Sequence, residues 1–402
     1  MEIKLEQNYR STGVILAAAN SVIANNTNRK EKELWTGTQG GRSIEFGQPE
    51  DEQKEADFIA QTIKTLMIRE NRKYDDFGIL VRTNSLTKNI ELALLQESIP
   101  YKVSGGQSFF QRREIKDILS YLRLILNPDD DMNFLRIINT PRRGIGKTTL
   151  EHLVATGQKR KISLVKAIKI LIMAHDSPLP DKAKAELSVF LDNVGDWQRQ
   201  FSWSKGKKYA PLVRDLVETI DYWGHLLADN PKSAKAAEWK YKNVETVIGF
   251  LEEWENNPDN TKPDLGLWLN RVTLSGRDED SDKDKGAVNL MTIHASKGLE
   301  FDVVFIAGVE DKVIPHEKSV LENPEAYEEE RRLFYVAITR ARKHLYMTAC
   351  RTRRSMTETH HPLPSPFLEE IPQNLVMNAE MEMEMEEDEA DDLFMKLKNR
   401  FG

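Results

Sequence analysis

The stretch VNLMTIHASKGLEFDVVFIAGVED, residues 288–311, holds two apolar runs around a small, polar loop. Val288–Ile293 and Val303–Ala307 are short and rich in β-branched side chains, the first broken only by Asn289 and Thr292. Such runs read as strands, and their alternation with helices implies a parallel sheet. Open α/β sheets bind ligands in loops at the carboxyl ends of their strands. The loop His294-Ala-Ser-Lys-Gly-Leu-Glu300 is therefore a candidate site. His294 suits hydrogen bonding or stacking. With no second histidine or cysteine at ligand spacing, no metal site is expected there. Lys297 could meet a phosphate or simply face solvent.

Downstream, Tyr327–Arg342 reads as a helix and His344–Thr348 as a further strand. Leu333, Val336 and Ala337 form an apolar stripe at helical spacing, and Arg340 continues it one step on. A cation on the buried side of a helix needs an anion or a cleft. Two readings of Arg340 stay open: it pairs with a buried carboxylate, or it reaches a phosphate as an arginine finger.

Upstream, the first hundred residues alternate in the same way. Residues 13–26 read as a helix with Ser11 or Thr12 as N-cap, Ser43–Gly47 as a strand, and Gln53 to about Arg69 as a helix. Phe77–Val81 follows as a buried strand, Leu86–Gln96 as a helix and Tyr101–Val103 as an extended segment. From about 110 to 275 the chain reads as almost all helix, broken at Asn127-Pro128, Thr140-Pro141 and Ser177-Pro178, and it holds six of the seven tryptophans. A polar stretch, SGRDEDSDKDKG, begins at Ser275 and reads as a linker. Neither α/β piece has enough strands for a sound sheet. One α/β domain interrupted by an all-helical insertion fits better than three domains in series.

Gly144-Ile-Gly-Lys-Thr148 invites a phosphate-loop reading. That loop needs G-x-x-x-x-G-K-[ST], and the position of the first glycine is held by Pro141. The segment also follows helix, not strand. A turn of a helix-hairpin-helix suits it better, where amides at a helix start meet a DNA phosphate and Arg142, Arg143 and Lys147 add charge. A plain turn with solvated basic residues is an equal alternative. No other segment fits the phosphate loop, and no Asp-Glu pair follows an apolar strand to hold Mg²⁺.

Bulk properties set outer bounds. The chain has 402 residues, 40% hydrophobic and 30% charged, with one cysteine, Cys350. This predicts a soluble protein of two or three domains without an internal disulfide or a cysteine-based metal site. With neither a signal sequence nor a membrane-spanning run, it is expected in the cytoplasm with no membrane partner. The net charge of −7 is uneven: nine acidic residues and no basic one lie between Glu380 and Asp392, and the remainder comes to +2. A nearly neutral body with basic clusters can still bind phosphate backbones. The tail from Pro362 is Pro-rich and then acidic, a composition expected to be disordered. Its last residues, LFMKLKNRFG, could form a short amphipathic helix that docks a protein partner, or a solvated end.

Five blocks carry a family resemblance. VNLMTIHASKGLEFDVVFIAGVED resembles motif V of UvrD/PcrA/Rep-type superfamily 1 DNA helicases, and EEERRLFYVAITRARKHLYMT from Glu328 resembles their motif VI. LEQNYRST at Leu5–Thr12 is similar to motif IV; GILVRTNS from Gly78 and GGQSFFQRREIKDILSYLR from Gly105 are similar to further family blocks. The likeness covers residues 1 to about 372. It implies a second RecA-like domain at 1–105 and 276–372 and a helical insertion at 106–275; the acidic composition of 373–402 makes that segment the tail expected to be disordered. It also implies ATP as cofactor, 3′→5′ movement, and single-stranded and duplex DNA as partners. Tyr9 would stack on adenine, Arg10 and Arg340 would reach the γ-phosphate, and Glu300 would hydrogen-bond the ribose. Arg82, Asn84, His294 and His316 would line the DNA path, with Lys297 a further candidate DNA contact from its place in the loop. The phosphate loop and the Mg²⁺ ligands would lie in a first RecA-like domain, expected upstream as a partner. Without it this chain is expected not to hydrolyse ATP. A stand-alone DNA- or protein-binding module is the alternative.

Overall fold

The computed structural model describes residues 7–8, 10–27, 35–37, 40–204, 208–258, 260–274, 286–323, 325–354 and 359–379. The chain divides into two compact units, Met1–Phe109 with Ser275–Gly402, and Phe110–Leu274.

The first unit is built on a seven-stranded sheet. Its strands are β1 (Ile44–Gly47), β2 (Phe77–Val81), β3 (Tyr101–Ser104), β4 (Val288–Thr292), β5 (Phe301–Ala307), β6 (Ala341–Thr348) and β7 (Val376–Asn378). They lie in the order β7-β1-β6-β5-β2-β4-β3, and every neighbouring pair is parallel. Strands from before and after the helical stretch are thus interleaved. Neither segment alone could form the sheet.

Helices cover both faces, which is why the central strands read as unbroken apolar runs. Alternation along each strand sorts the side chains. Phe77, Ile79, Val81, Val303, Phe305 and Ala307 pack under helices α2 (Glu52–Arg69) and α3 (Thr87–Gln96). Leu80, Val304, Ile306, Leu345 and Met347 pack on the other face, with α1 (Gly13–Ala24) and α14 (Ala326–Ile338). Asp51 caps α2 by accepting from the Gln53 and Lys54 amides at 3.0 and 2.9 Å.

Several expectations need correcting. Thr12 is the α1 N-cap, but its side chain makes no capping bond. The Ser11 hydroxyl instead donates to the Ala341 carbonyl at 2.8 Å, and the Thr12 amide to that of Arg342 at 3.1 Å. Helix α14 stops at Ile338, not at Arg342, and β6 begins at Ala341, three residues earlier than the apolar run suggested. The cause is strand pairing: the Phe301 amide donates to the Arg340 carbonyl at 3.0 Å, and Phe301 aligns with Ala341. The buried face of α14 is Glu330, Arg331, Phe334, Ala337 and Ile338, with Leu333 and Val336 at its margin. The expected disorder also fails before residue 380. Phe367 is fully buried, Ile371 is 3% exposed, and β7 pairs with β1. The linker at 275–285 and the acidic tail at 380–402 lie outside the described residues.

The second unit contains nine helices among the described residues: α4 (Arg113–Leu126), α5 (Asp131–Ile137), α6 (Lys147–Arg160), α7 (Leu164–Met173), α8 (Asp181–Trp203), α9 (Ala210–Thr219), α10 (Tyr222–Asp229), α11 (Ala234–Asn256) and α12 (Leu265–Leu274). Edge-to-face aromatic pairs, Tyr121 with Trp197 and Phe134 with Phe190, tie α4 and α5 to α8. No helix of the described residues is long and apolar enough to cross a membrane. In the first unit, α13 (Glu317–Glu322) follows β5 and leads to α14.

Candidate nucleotide and nucleic-acid sites

A parallel sheet has a carboxyl edge and an amino edge, and the predicted residues fall on both. The segment from Thr292, at the end of β4, to Glu300, just before β5, crosses from one edge to the other. His294 is thus near the carboxyl edge and Glu300 at the amino edge.

At the amino edge, Arg10, Glu300, Arg340 and Arg342 come together. Arg10 Nε donates to Glu300 Oε2, and the Arg342 guanidinium lies 3.1 Å from Glu300 Oε1. The hydrogen bond from Arg10, followed by the Arg10 and Arg342 charges, holds the Glu300 carboxyl below its ordinary pKa against the opposing effect of desolvation. Arg340 is 9% exposed. Its guanidinium donates to the Val336 carbonyl at 3.0 Å, the Leu299 carbonyl at 2.9 Å and the Thr339 hydroxyl at 3.2 Å. No carboxylate hydrogen-bonds to it among the described residues. Burial, and after it the charge of Arg10, push its pKa below the ordinary arginine value. Of the two sequence readings of Arg340, pairing with a buried carboxylate is therefore not what the fold builds. A desolvated guanidinium beside a second arginine suits a polyanion such as a triphosphate tail. Tyr9 lies outside the described residues.

At the carboxyl edge, Asn84 and His294 are exposed, and Lys297, further along the crossing segment, is exposed as well. Asn84 Nδ2 donates to the Gly105 carbonyl at 3.4 Å. Gly105 has φ +74°, and a Cβ there would strike Ala295 and Thr292; one on Gly106 would strike the Asn84 side chain. Three separate sequence blocks, around Asn84, Gly105 and His294, thus meet through glycine. Arg82 is engaged otherwise. It makes a two-pronged ion pair with Glu330, Nε to Oε2 at 2.9 Å and Nη2 to Oε1 at 2.5 Å. His316 caps the start of α13; its amide donates to Glu330 Oε2 at 3.0 Å, and Nδ1 lies 3.1 Å from the Ser319 hydroxyl.

In the helical unit, the three basic residues of the Gly144–Thr148 turn differ. Arg142 and Lys147 are exposed, each within 4 Å of a carboxylate, Asp229 and Glu151 respectively. Arg143 turns inward. It donates to the carbonyls of Ile137, Ile138 and Pro141 and to the Tyr121 hydroxyl, and its guanidinium lies 5.1 Å from the Phe190 ring centre.

Sequence reasoning did not find Glu330 or Arg342. The signal for Glu330 was a carboxylate in register with Phe334 and Ala337 on one helix face, hidden within an acidic run. It also passed over a buried cluster at the ends of β5 and β6, where Arg353 bridges Glu55 and Glu310 at 2.6 Å each. Cys350 completes a possible ligand set with these two carboxylates, but Arg353 already engages one oxygen of each.

Together these features define a RecA-like α/β domain interrupted by a helical insertion. The chain belongs to the UvrD-like helicase C-terminal domain family, whose model matches residues 3–352. It is 41% identical over 375 residues to the ATP-dependent DNA helicase Rep of Salmonella typhimurium, covering 92% of this chain and 54% of that protein. To the ATP-dependent DNA helicase PcrA of Bacillus subtilis it is 38% identical over 381 residues, covering 94% of this chain and 50% of the relative. The chain spans about half the length of the curated relatives it matches.

Proposed function

We propose that this chain is the carboxy-terminal part of an ATP-dependent 3′→5′ DNA helicase or translocase. It supplies the γ-phosphate-sensing half of the ATP site and part of the single-stranded DNA track. The carrying observation is the convergence of Arg10, Glu300 and Arg340 at one sheet edge, with Arg340 desolvated and, among the described residues, hydrogen-bonded to neutral acceptors. When bound, ATP with Mg²⁺ supplies the phosphoryl group whose hydrolysis drives the motor; the Mg²⁺ ligands belong to a first RecA-like domain. Arg340 and Arg10 neutralise charge on the γ-phosphate, as arginine fingers do. Glu300 orients the ribose and, between turnovers, holds Arg10. At the opposite edge, Asn84, His294, Lys297 and His316 meet the single strand, where polar and aromatic groups suit bases and sugars. Arg142 and Lys147 on the helical unit add phosphate contacts to duplex DNA.

The test is DNA-stimulated ATPase activity, measured on this chain alone and joined to a phosphate-loop domain from a relative. Activity is expected only in the joined protein and only with Arg340 intact. Turnover by this chain alone, abolished by Arg340→Ala, would overturn the half-site reading. DNA binding with no ATPase in either form would favour a stand-alone binding module.

A further inference from the structure

Helix α14 runs back across the sheet from the carboxyl edge, where β5 ends, to the amino edge, where β6 begins. Glu330 sits in its first half, and Arg340 lies two residues past its end. Between Glu330 and Ile338 the helix rises about 12 Å, at 1.5 Å per residue. Glu330 is 5% exposed and has both carboxylate oxygens occupied, by Arg82 and by the His316 amide. Arg82 begins the turn that presents Asn84, and His316 closes the turn that leads into α13. One side chain therefore pins two loops to the helix that ends beside the Arg10–Glu300–Arg340 group.

We infer that Glu330 is a positioning residue, tying the turns that carry Asn84 and His316 to α14 and through it to Arg340. This rests on the reading of Asn84 and His316 as contacts to single-stranded DNA. Glu330 touches neither ligand itself. Helix α14 is a short rod whose second half is buried through Phe334, Ala337 and Ile338 and whose first turn packs on the same core through Tyr327, so a shift of either turn must move α14 or break the pair. A buried carboxylate with two partners is costly to break at one of them, which favours movement as a unit.

Charge and position predict opposite results for Glu330→Gln. The substitution removes a negative charge and frees the Arg82 guanidinium. If only charge mattered, single-stranded DNA would bind more tightly and with a steeper salt dependence. If Glu330 positions the turns, affinity falls, and the salt slope is unchanged because no phosphate contact is lost. The experiment uses the 402-residue chain, as wild type, Glu330→Gln and Arg82→Lys, with a fluorescein-labelled oligo(dT) probe over a salt series. Hydrogen exchange is followed in parallel in peptides spanning 82–86 and 312–318. For Glu330→Gln, affinity should fall about tenfold, as expected when one partner of a buried charge-assisted bond is removed. Both peptides should lose protection together, while the α1 peptide stays as in wild type. Arg82→Lys, which keeps the charge but not the fork, should loosen 82–86 more than 312–318. Tighter DNA binding, or unchanged protection in the two turns, would overturn the inference. A wild-type chain that ignores the probe would sink the DNA reading instead, and the exchange data would still decide whether Glu330 pins both turns.

Discussion

Arg340 Nη1 donates to the Leu299 carbonyl at 2.9 Å, which anchors the arginine after α14 to the residue before Glu300. Two sequence blocks, 41 residues apart at this bond, thus fix each other at the start of adjacent parallel strands. A neutral carbonyl holds a guanidinium in place without cancelling its charge, whereas a carboxylate would. Arg340→Ala in the joined enzyme should therefore lower kcat by about three to five orders of magnitude, with single-stranded DNA affinity close to wild type. Arg340→Lys should recover little, since an ammonium cannot span Leu299, Val336 and a phosphate at once. Steady-state ATPase and oligonucleotide binding check this; a defect confined to DNA affinity would mean that Arg340 is misassigned.

Glu300 calls for a different expectation. Its side chain is 35% exposed, and its partners Arg10 and Arg342 are 33% and 47% exposed. Pairs so open to solvent contribute about 0–1 kcal/mol to stability. Glu300→Ala should leave the melting temperature nearly unchanged. Its effect should appear in the KM for ATP, which rises as the ribose contact and the ordering of Arg10 are lost, more than in kcat. An unchanged KM with a fall in melting temperature would make Glu300 a purely structural residue.

The strands and helices of the α/β unit were legible because period and length speak directly: Phe77–Val81 matches its strand end to end, and α1 and α2 begin within one residue of expectation. Long-range pairing was not legible. Nothing local marks Ala341 as the start of β6; its partner Phe301 decides that. Val376–Asn378 is too short to read as a strand until β1 supplies an edge. The amino-edge group was visible as separate arginines and a glutamate, while the roles of Arg82 and Arg143 were not, since only tertiary partners turn a basic side chain inward.

Arg143 illustrates the last point and can be tested against its neighbours. It joins three backbone carbonyls, a tyrosine hydroxyl and two aromatic rings. Arg143→Ala should cost about 2–3 kcal/mol, the range expected when buried polar partners are left unsatisfied. Arg142→Ala and Lys147→Ala, both at exposed sites, should stay within about 0.5 kcal/mol of wild type. If they contact phosphate, each should reduce the salt slope of duplex DNA binding by about one. Thermal unfolding and binding over a salt series separate the two classes of residue.

Two buried glutamates should respond to pH in opposite directions. Burial would raise the pKa of Glu330, but Arg82 and the His316 amide outweigh it and hold the value below the ordinary one. Its contribution to stability is present above the unfolded pKa and is lost as pH falls through the folded pKa. Burial dominates at Glu91 and raises its pKa, despite bonds from Ser108, the Phe109 amide, Thr87 and Tyr101. Its contribution is fullest below the unfolded pKa and declines as pH rises through the folded one. Glutamine does not titrate, so each Glu→Gln variant isolates one group. On acidification from neutral pH, the gap in melting temperature between wild type and Glu330→Gln should narrow. The wild type should gain on Glu91→Gln over the same range. Parallel trends in the two variants would contradict the assigned environments.

The carboxyl-terminal segment should prove part of the core and not an appendage. Phe367 is fully buried, stacked 5.9 Å from Phe334 and edge-on to Tyr327, so it packs against the helix that precedes Arg340. Arg331, itself buried, makes a part-buried ion pair with Glu370 at 2.8 Å, and the Ser21 hydroxyl donates to the Glu370 carbonyl at 2.6 Å. Beyond it, β7 covers the β1 edge, and the Ala379 amide closes the ladder on the Phe46 carbonyl at 2.9 Å. Phe367→Ala should cost about 3–5 kcal/mol, the range for a large aromatic removed from a packed core. Deleting 369–402 should lower the melting temperature by several degrees, since it exposes β1 and leaves Arg331 buried without its carboxylate. Deleting 380–402 keeps all of these contacts and is the control. A melting temperature that falls equally in both truncations would assign the stabilisation to the distal residues and not to Glu370 and β7.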